Sequence, residues 1–118
     1  MRDLAPDILR QRLLIEGHYS INVDSAVVAA YLVGVAAHLG LRTYGNPIVH
    51  APGGVGKEEN AGFDAFIPLV DSGVSLYVWT QKRFFATVLF TCKGFEVEHA
   101  LEFTRKFFGA LDVEHRSF

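Results

Sequence analysis

The chain has little that would staple, extend or anchor it. Among its 118 residues there is one cysteine, Cys92, so no internal disulfide can form. Proline is scarce at 4, which excludes a polyproline or low-complexity character. Charge is sparse and nearly balanced, with 11 basic and 13 acidic residues and a net of −2. No basic run exceeds Lys82-Arg83 or Arg105-Lys106, which argues against a nucleic-acid partner. The start, Met1-Arg2-Asp3-Leu4, lacks the charged-then-apolar run of a secretory signal, and a cytoplasmic location is expected. One stretch, from Ser25 to Gly40, carries no Asp, Glu, Lys or Arg. At about 16 residues it falls short of the roughly 20 needed to span a bilayer, so a buried helix and no membrane partner are expected.

What is present is apolar mass. Half of the residues are hydrophobic, enough for one real core, and the length suits a single domain over 1–118. The apolar run from Leu13 to Gly17 predicts a first strand. Asp24 then offers a cap for a helix running to Leu39, and Gly40 suits the left-handed residue that ends it. This helix is apolar nearly all round, which predicts burial on more than one side, in a tight sandwich or a subunit contact. Leu41 to Val49 reads as a second strand, followed by a Gly/Pro loop from His50 to Asn60. Phe63 to Val70 reads as a third strand, with Pro68 marking an edge or a bulge. Asp71-Ser72-Gly73 is expected to turn into a fourth strand, Val74 to Trp79, and Gln81-Lys82-Arg83 into a fifth, Phe84 to Thr91. That fifth strand has bulk on both faces and should be central. Phe95 to Phe108 is an amphipathic helix ended by Gly109, and Leu111 to His115 can form a last strand. The order β-α-β-β-β-β-α-β predicts an α+β fold, a mainly antiparallel sheet with two helices packed on one face.

Two motifs fail. Gly56-Lys57 matches the middle of a phosphate-binding loop, but Ala51 and Glu58 stand where its outer positions need Gly and Ser/Thr. The five histidines, His18, His38, His50, His99 and His115, show no ligand spacing, and no metal is expected.

The segment from Asp71 through Trp79 to Phe90-Thr91-Cys92 is more specific. Its acidic residue and serine at a strand turn, its tryptophan, and its Phe-Thr-Cys resemble the small prokaryotic S-adenosylmethionine decarboxylases without a gap. The resemblance extends loosely over residues 10–115 and implies that family's sandwich fold. It implies that Ser72 is the precursor of a pyruvoyl group, made when the serine hydroxyl attacks the preceding carbonyl and the chain splits. The ketone so formed condenses with a substrate amine and withdraws the electrons released as carbon dioxide leaves. By position, Cys92 would return a proton to the carbanion, and Asp71 replaces the family glutamate before the serine. Tyr77 stands where the family has a histidine that assists the elimination, and Asp64 where it has a helper serine. An imidazole titrates near neutrality, whereas a free phenol has a pKa of about 10. His50 and His18 are the candidates for a replacement base. Tyr77 and Trp79 share a strand face and either pack the sheet or line a pocket able to stack on an adenine, and Gln81 falls at an acidic substrate contact of the family.

The resemblance therefore implies decarboxylation of S-adenosylmethionine feeding spermidine and other polyamine synthesis, in a homodimer whose sheets join across the contact. Altered recognition at Gln81 allows another amino acid, such as ornithine or arginine. Two alternatives stand beside this: an unprocessed relative that cleaves S-adenosylmethionine as a lyase, and a silent regulatory or binding relative.

Overall fold

The computed structural model describes residues 1–53 and 57–118, so Gly56 of the loop motif lies outside the described residues. Six strands form one sheet: β1 (Gln11–His18), β2 (Ile48–His50), β3 (Gly62–Leu69), β4 (Ser72–Trp79), β5 (Phe84–Thr91) and β6 (Asp112–Ser117). Their spatial order is β2-β3-β4-β5-β1-β6, every neighbouring pair antiparallel. The two helices are α1 (Ser25–His38) and α2 (Val97–Phe108). A single cluster joins Leu13, Ile67, Leu76 and Phe85 of the sheet to Tyr31 and Leu32 of α1 and Leu101 and Phe108 of α2. Both helices therefore cover the same face, and the expected α+β architecture and element order are present. No helix among the described residues is long and apolar enough to cross a membrane.

Local chemistry explains most boundaries. The Asp24 carboxylate accepts from the Val27 amide at 2.9 Å and starts α1. Gly40, at φ 69°, takes the left-handed conformation after the Leu39 cap. α2 begins at Val97 rather than Phe95, because Gln11 clamps the Phe95 backbone: its amide oxygen accepts from Phe95 N at 3.0 Å, and its Nε2 donates to Phe95 O at 2.9 Å. Deep in the core, the Tyr31 hydroxyl and Thr104 Oγ1 share a 2.8 Å hydrogen bond. Burial pushes the Tyr31 phenol up to about 12, so it stays neutral. Tyr31→Phe strands the Thr104 hydroxyl and should lower stability by about 1–2 kcal/mol, read as an earlier midpoint in urea or heat unfolding.

Four expectations are corrected. The second strand is only Ile48–His50; Gly45 and Pro47 break the preceding segment, and Thr43 makes an isolated bridge to Leu69. Pro68 lies in an interior strand, yet past the end of β2, where only the irregular Arg42–Tyr44 segment faces it and Tyr44 N donates to its carbonyl at 3.2 Å. The turn after β3 is Val70-Asp71, with Ser72 and Gly73 already in β4 and Leu69 paired to Ser72. Finally, α1 is buried on one side only within the chain; Ala26, Ala30, Val33 and Ala37 face solvent. Its core side already meets the sheet and α2, and a domain of this size has no third layer to cover the other.

The second face of the sheet is bare. Period-two alternation turns Leu14, Phe66, Tyr77, Val88 and Phe90 away from the helices. Phe66 is 40% exposed, Tyr77 39% and Phe90 41%, so aromatic surface of this extent faces water in the isolated chain.

Candidate active site

The turn between β3 and β4 holds the first cluster. Asp71 sits at φ 53°, a left-handed conformation that costs an Asp on the order of 1 kcal/mol. The residue that bears the carbonyl of the Asp71–Ser72 bond is thus the strained one. β5 runs back along β4 with Gly73 opposite Phe90, which brings the end of β5 beside Ser72. Ser72 Oγ accepts from the Cys92 amide at 3.0 Å. Thr91 Oγ1 donates to Lys93 O at 2.8 Å and fixes the short bend that carries Cys92. Lys93 Nζ in turn donates to Gly40 O at 3.0 Å and ties this bend to the end of α1. Between these parts opens a cleft of about 280 Å³, lined by Asp71, Ser72, Cys92, Arg42 and Lys93 among others. Cys92 is half-buried, with its thiol reduced and unpaired in any disulfide.

This arrangement can do nucleophilic chemistry on the backbone. Because the Cys92 N–H donates to Ser72 Oγ, the serine's own proton is left free to be given up. The acceptor carbonyl is that of the neighbouring residue, so attack is intramolecular and needs no docking step. The residues present fit a pyruvoyl precursor: a serine at a strand start, a strained residue before it, and a thiol across the cleft. Arg42 and Lys93 add positive charge at the mouth. Sequence reasoning did not find them, since Arg42 belongs to a segment expected as plain strand and Lys93 carried only its adjacency to Cys92.

The remaining candidates lie elsewhere in the same chain. Tyr77 is five residues along β4 from Ser72, roughly 16 Å at ~3.3 Å per residue, and faces the bare side of the sheet. Asp64 pairs with it directly from β3. Trp79 ends β4 and packs on Phe84, ring centroids 5.4 Å apart. Gln81 belongs to the Thr80–Arg83 turn at that far end. Ser72, Asp71 and Cys92 are brought together; Tyr77 and Asp64 form a second group; Trp79 and Gln81 form a third. His18 is not near Ser72: it pairs with Phe84 across the sheet, and its Nδ1 lies 2.9 Å from Asp112. The Asp112 carboxyl is held below its usual range chiefly by that side-chain hydrogen bond. A larger cleft, about 400 Å³, opens between the ends of α1 and α2 but brings no nucleophile.

Comparison with known proteins bears on the fold and the family. A search of curated proteins finds no match. Among solved structures, the crystal structure of the adenosylmethionine decarboxylase from Aquifex aeolicus is similar, with a TM-score of 0.71. The match covers 94% of this chain and 89% of that one at 12% identity, and so speaks for the fold alone. The family model described as S-adenosylmethionine decarboxylase matches residues 14–118, which takes in both strands of the Ser72–Cys92 cluster and nearly all of the sheet. On that match, the chain belongs to the S-adenosylmethionine decarboxylase family.

Proposed function

We propose that this chain splits itself between Asp71 and Ser72 and then decarboxylates S-adenosylmethionine, supplying spermidine synthesis. The observation that carries the reading is the hydrogen bond from the Cys92 amide to Ser72 Oγ, made beside the strained Asp71 carbonyl. It holds the nucleophile and the proton donor in one cleft, at the ends of neighbouring strands and 20 residues apart in sequence. Once formed, the pyruvoyl group supplies an electron sink for the carboxylate's departure. The chain's own residues do the rest. Arg42 and Lys93 give the cleft a positive mouth suited to a carboxylate-bearing amine. The Cys92 thiol, half-buried beside position 72, holds the proton that must be returned to carbon.

The functional unit in this reading is a homodimer joined through the bare sheet face. Two observations support it. The face carries exposed aromatic surface that water does not favour. Asp64 and Tyr77 lie too far from Ser72 to act on it within one chain. Packing two such faces about a two-fold axis covers that surface on both copies at once, since an isologous contact uses the same patch of each. Phe90→Asp, which buries a charge in that contact, should give a monomer by sedimentation while the wild type runs as a dimer; an unchanged dimer would move the interface elsewhere.

The direct test is the intact mass of the denatured protein. Two fragments, 1–71 and a blocked piece starting at position 72, are expected. A single full-length mass that persists on incubation sinks the reading. Tyr77 in place of an imidazole favours one second reading, elimination on S-adenosylmethionine by the unsplit chain. That reaction gives homoserine lactone and methylthioadenosine with no carbon dioxide.

A further inference from the structure

The bend that carries Cys92 leaves β5 at Thr91 and enters α2 at Val97, and it is tied down along its length. Cys92 N donates to Ser72 Oγ at 3.0 Å. Lys93 O accepts from Thr91 Oγ1 at 2.8 Å, and Lys93 Nζ donates to Gly40 O at 3.0 Å. The last tie comes from β1. The Gln11 side chain grips both backbone groups of Phe95: its Oε1 accepts from Phe95 N at 3.0 Å, and its Nε2 donates to Phe95 O at 2.9 Å. The β1–β5 register also sets Gln11 opposite Thr91. Gln11 therefore stands beside the residue where the bend begins and holds the residue where it ends. Its own strand lies inside the sheet, between β5 and β6, and is a firm base.

We propose that Gln11 is a positioning residue for the Ser72–Cys92 pair, acting through the Phe95 backbone; this rests on the self-cleaving reading above. The Cys92 N–H aims Ser72 Oγ, so the direction of that N–H sets how the oxygen lies against the Asp71 carbonyl. A segment fixed at both ends holds one direction. Released at Phe95, it keeps only the ties at its first two residues, and the hydrogen bond to Ser72 wanders. Attack within the chain depends steeply on such alignment.

The side chain required is specific. The clamp needs one donor and one acceptor on a planar group with the reach of glutamine. Alanine has neither. A glutamate has the reach, but as a carboxylate it only accepts, and it would set an oxygen against Phe95 O. A protonated glutamic acid has an O–H donor and a carbonyl acceptor, which restores the pattern. Gln11→Glu is thus a variant whose clamp opens and closes with pH.

The test follows self-cleavage by intact mass in freshly made wild type, Gln11→Ala and Gln11→Glu. All rates are read well below each protein's thermal midpoint, where the whole sample is folded and a loss of stability alone leaves the rate unmoved. Near neutral pH both variants should cleave at least ~10-fold more slowly, within the ~10²-fold that an ångström of misplacement can cost. Between pH 7 and pH 5 Gln11→Glu should gain on Gln11→Ala, because a glutamic acid of ordinary pKa about 4.3 begins to carry its proton there. His38 at the end of α1, and Glu96 and His99 at the start of α2, line the same hollow as Gln11, and Lys93 lies on the bend. These groups are common to both variants, so the ratio of the two rates cancels them. Should Gln11→Ala fail to fold, the ratio of Gln11→Glu to wild type over the same range decides the question. Cleavage of both variants at the wild-type rate overturns the proposal and leaves the decarboxylase reading standing. Slow cleavage with no gain by Gln11→Glu toward pH 5 reduces Gln11 to a packing residue and also overturns it. A wild type that stays whole overturns the self-cleaving reading and the role of Gln11 with it.

Discussion

Ser72→Ala is expected to stay at its full-length mass indefinitely and to release no carbon dioxide from S-adenosylmethionine. The substitution removes the hydroxyl that alone adjoins the Asp71 carbonyl, and no other side chain in the turn can replace it. It leaves the hairpin intact, because Leu69 pairs with Ser72 through the backbone. The Cys92 amide loses its acceptor at the edge of an open cleft, a cost of about 1 kcal/mol or less. A folded, unsplit and inactive protein is therefore the expected product, with circular dichroism matching the wild type. A Ser72→Ala chain that still splits at the same bond would remove Ser72 from the mechanism.

Cys92→Ala should separate processing from turnover. The group that holds Ser72 Oγ is the Cys92 backbone N–H, which alanine keeps. Self-cleavage should then run at close to the wild-type rate. The thiol is what turnover needs, and losing a positioned general acid costs typically ~10²–10⁴-fold. Cys92→Ser should fall in the same range, since an alcohol is a far weaker acid than a thiol. The measurement is carbon dioxide released per cleaved chain. Wild-type turnover in both variants would make Cys92 a packing residue; loss of cleavage in both would make its side chain part of processing.

Much of this fold was legible in order. Asp24 and Gly40 frame α1 because a cap and a left-handed terminus are single-residue signals. The β4–β5 hairpin was legible too: a turn at Gln81-Lys82-Arg83 between two strand-like runs returns the chain toward the Asp71-Ser72-Gly73 segment, and in the structure Gly73 lies opposite Phe90, near Cys92. What failed was local competition. Leu41 to Tyr44 is strand-like in composition, but Gly45 and Pro47 and the close of α1 leave that segment irregular. The bare side of α1 failed for another reason, since an all-apolar pattern does not say which face the chain itself will cover.

The sequence by itself determined the class of fold, a serine at or beside the turn between two strands, and its distance along the chain from the cysteine. These depend on alternation, capping and turn chemistry, which act over a few residues. Only the tertiary structure decided that the candidate residues divide into groups, with Tyr77 and Asp64 on the face opposite the helices. Only it placed His50 beside them. A row across β2, β3 and β4 depends on register between strands joined by a long loop, and no short-range signal fixes that pairing. The register follows from which residues the core buries, Ala65 and Ile67 inward and Asp64 and Phe66 outward, and burial is a property of the whole fold.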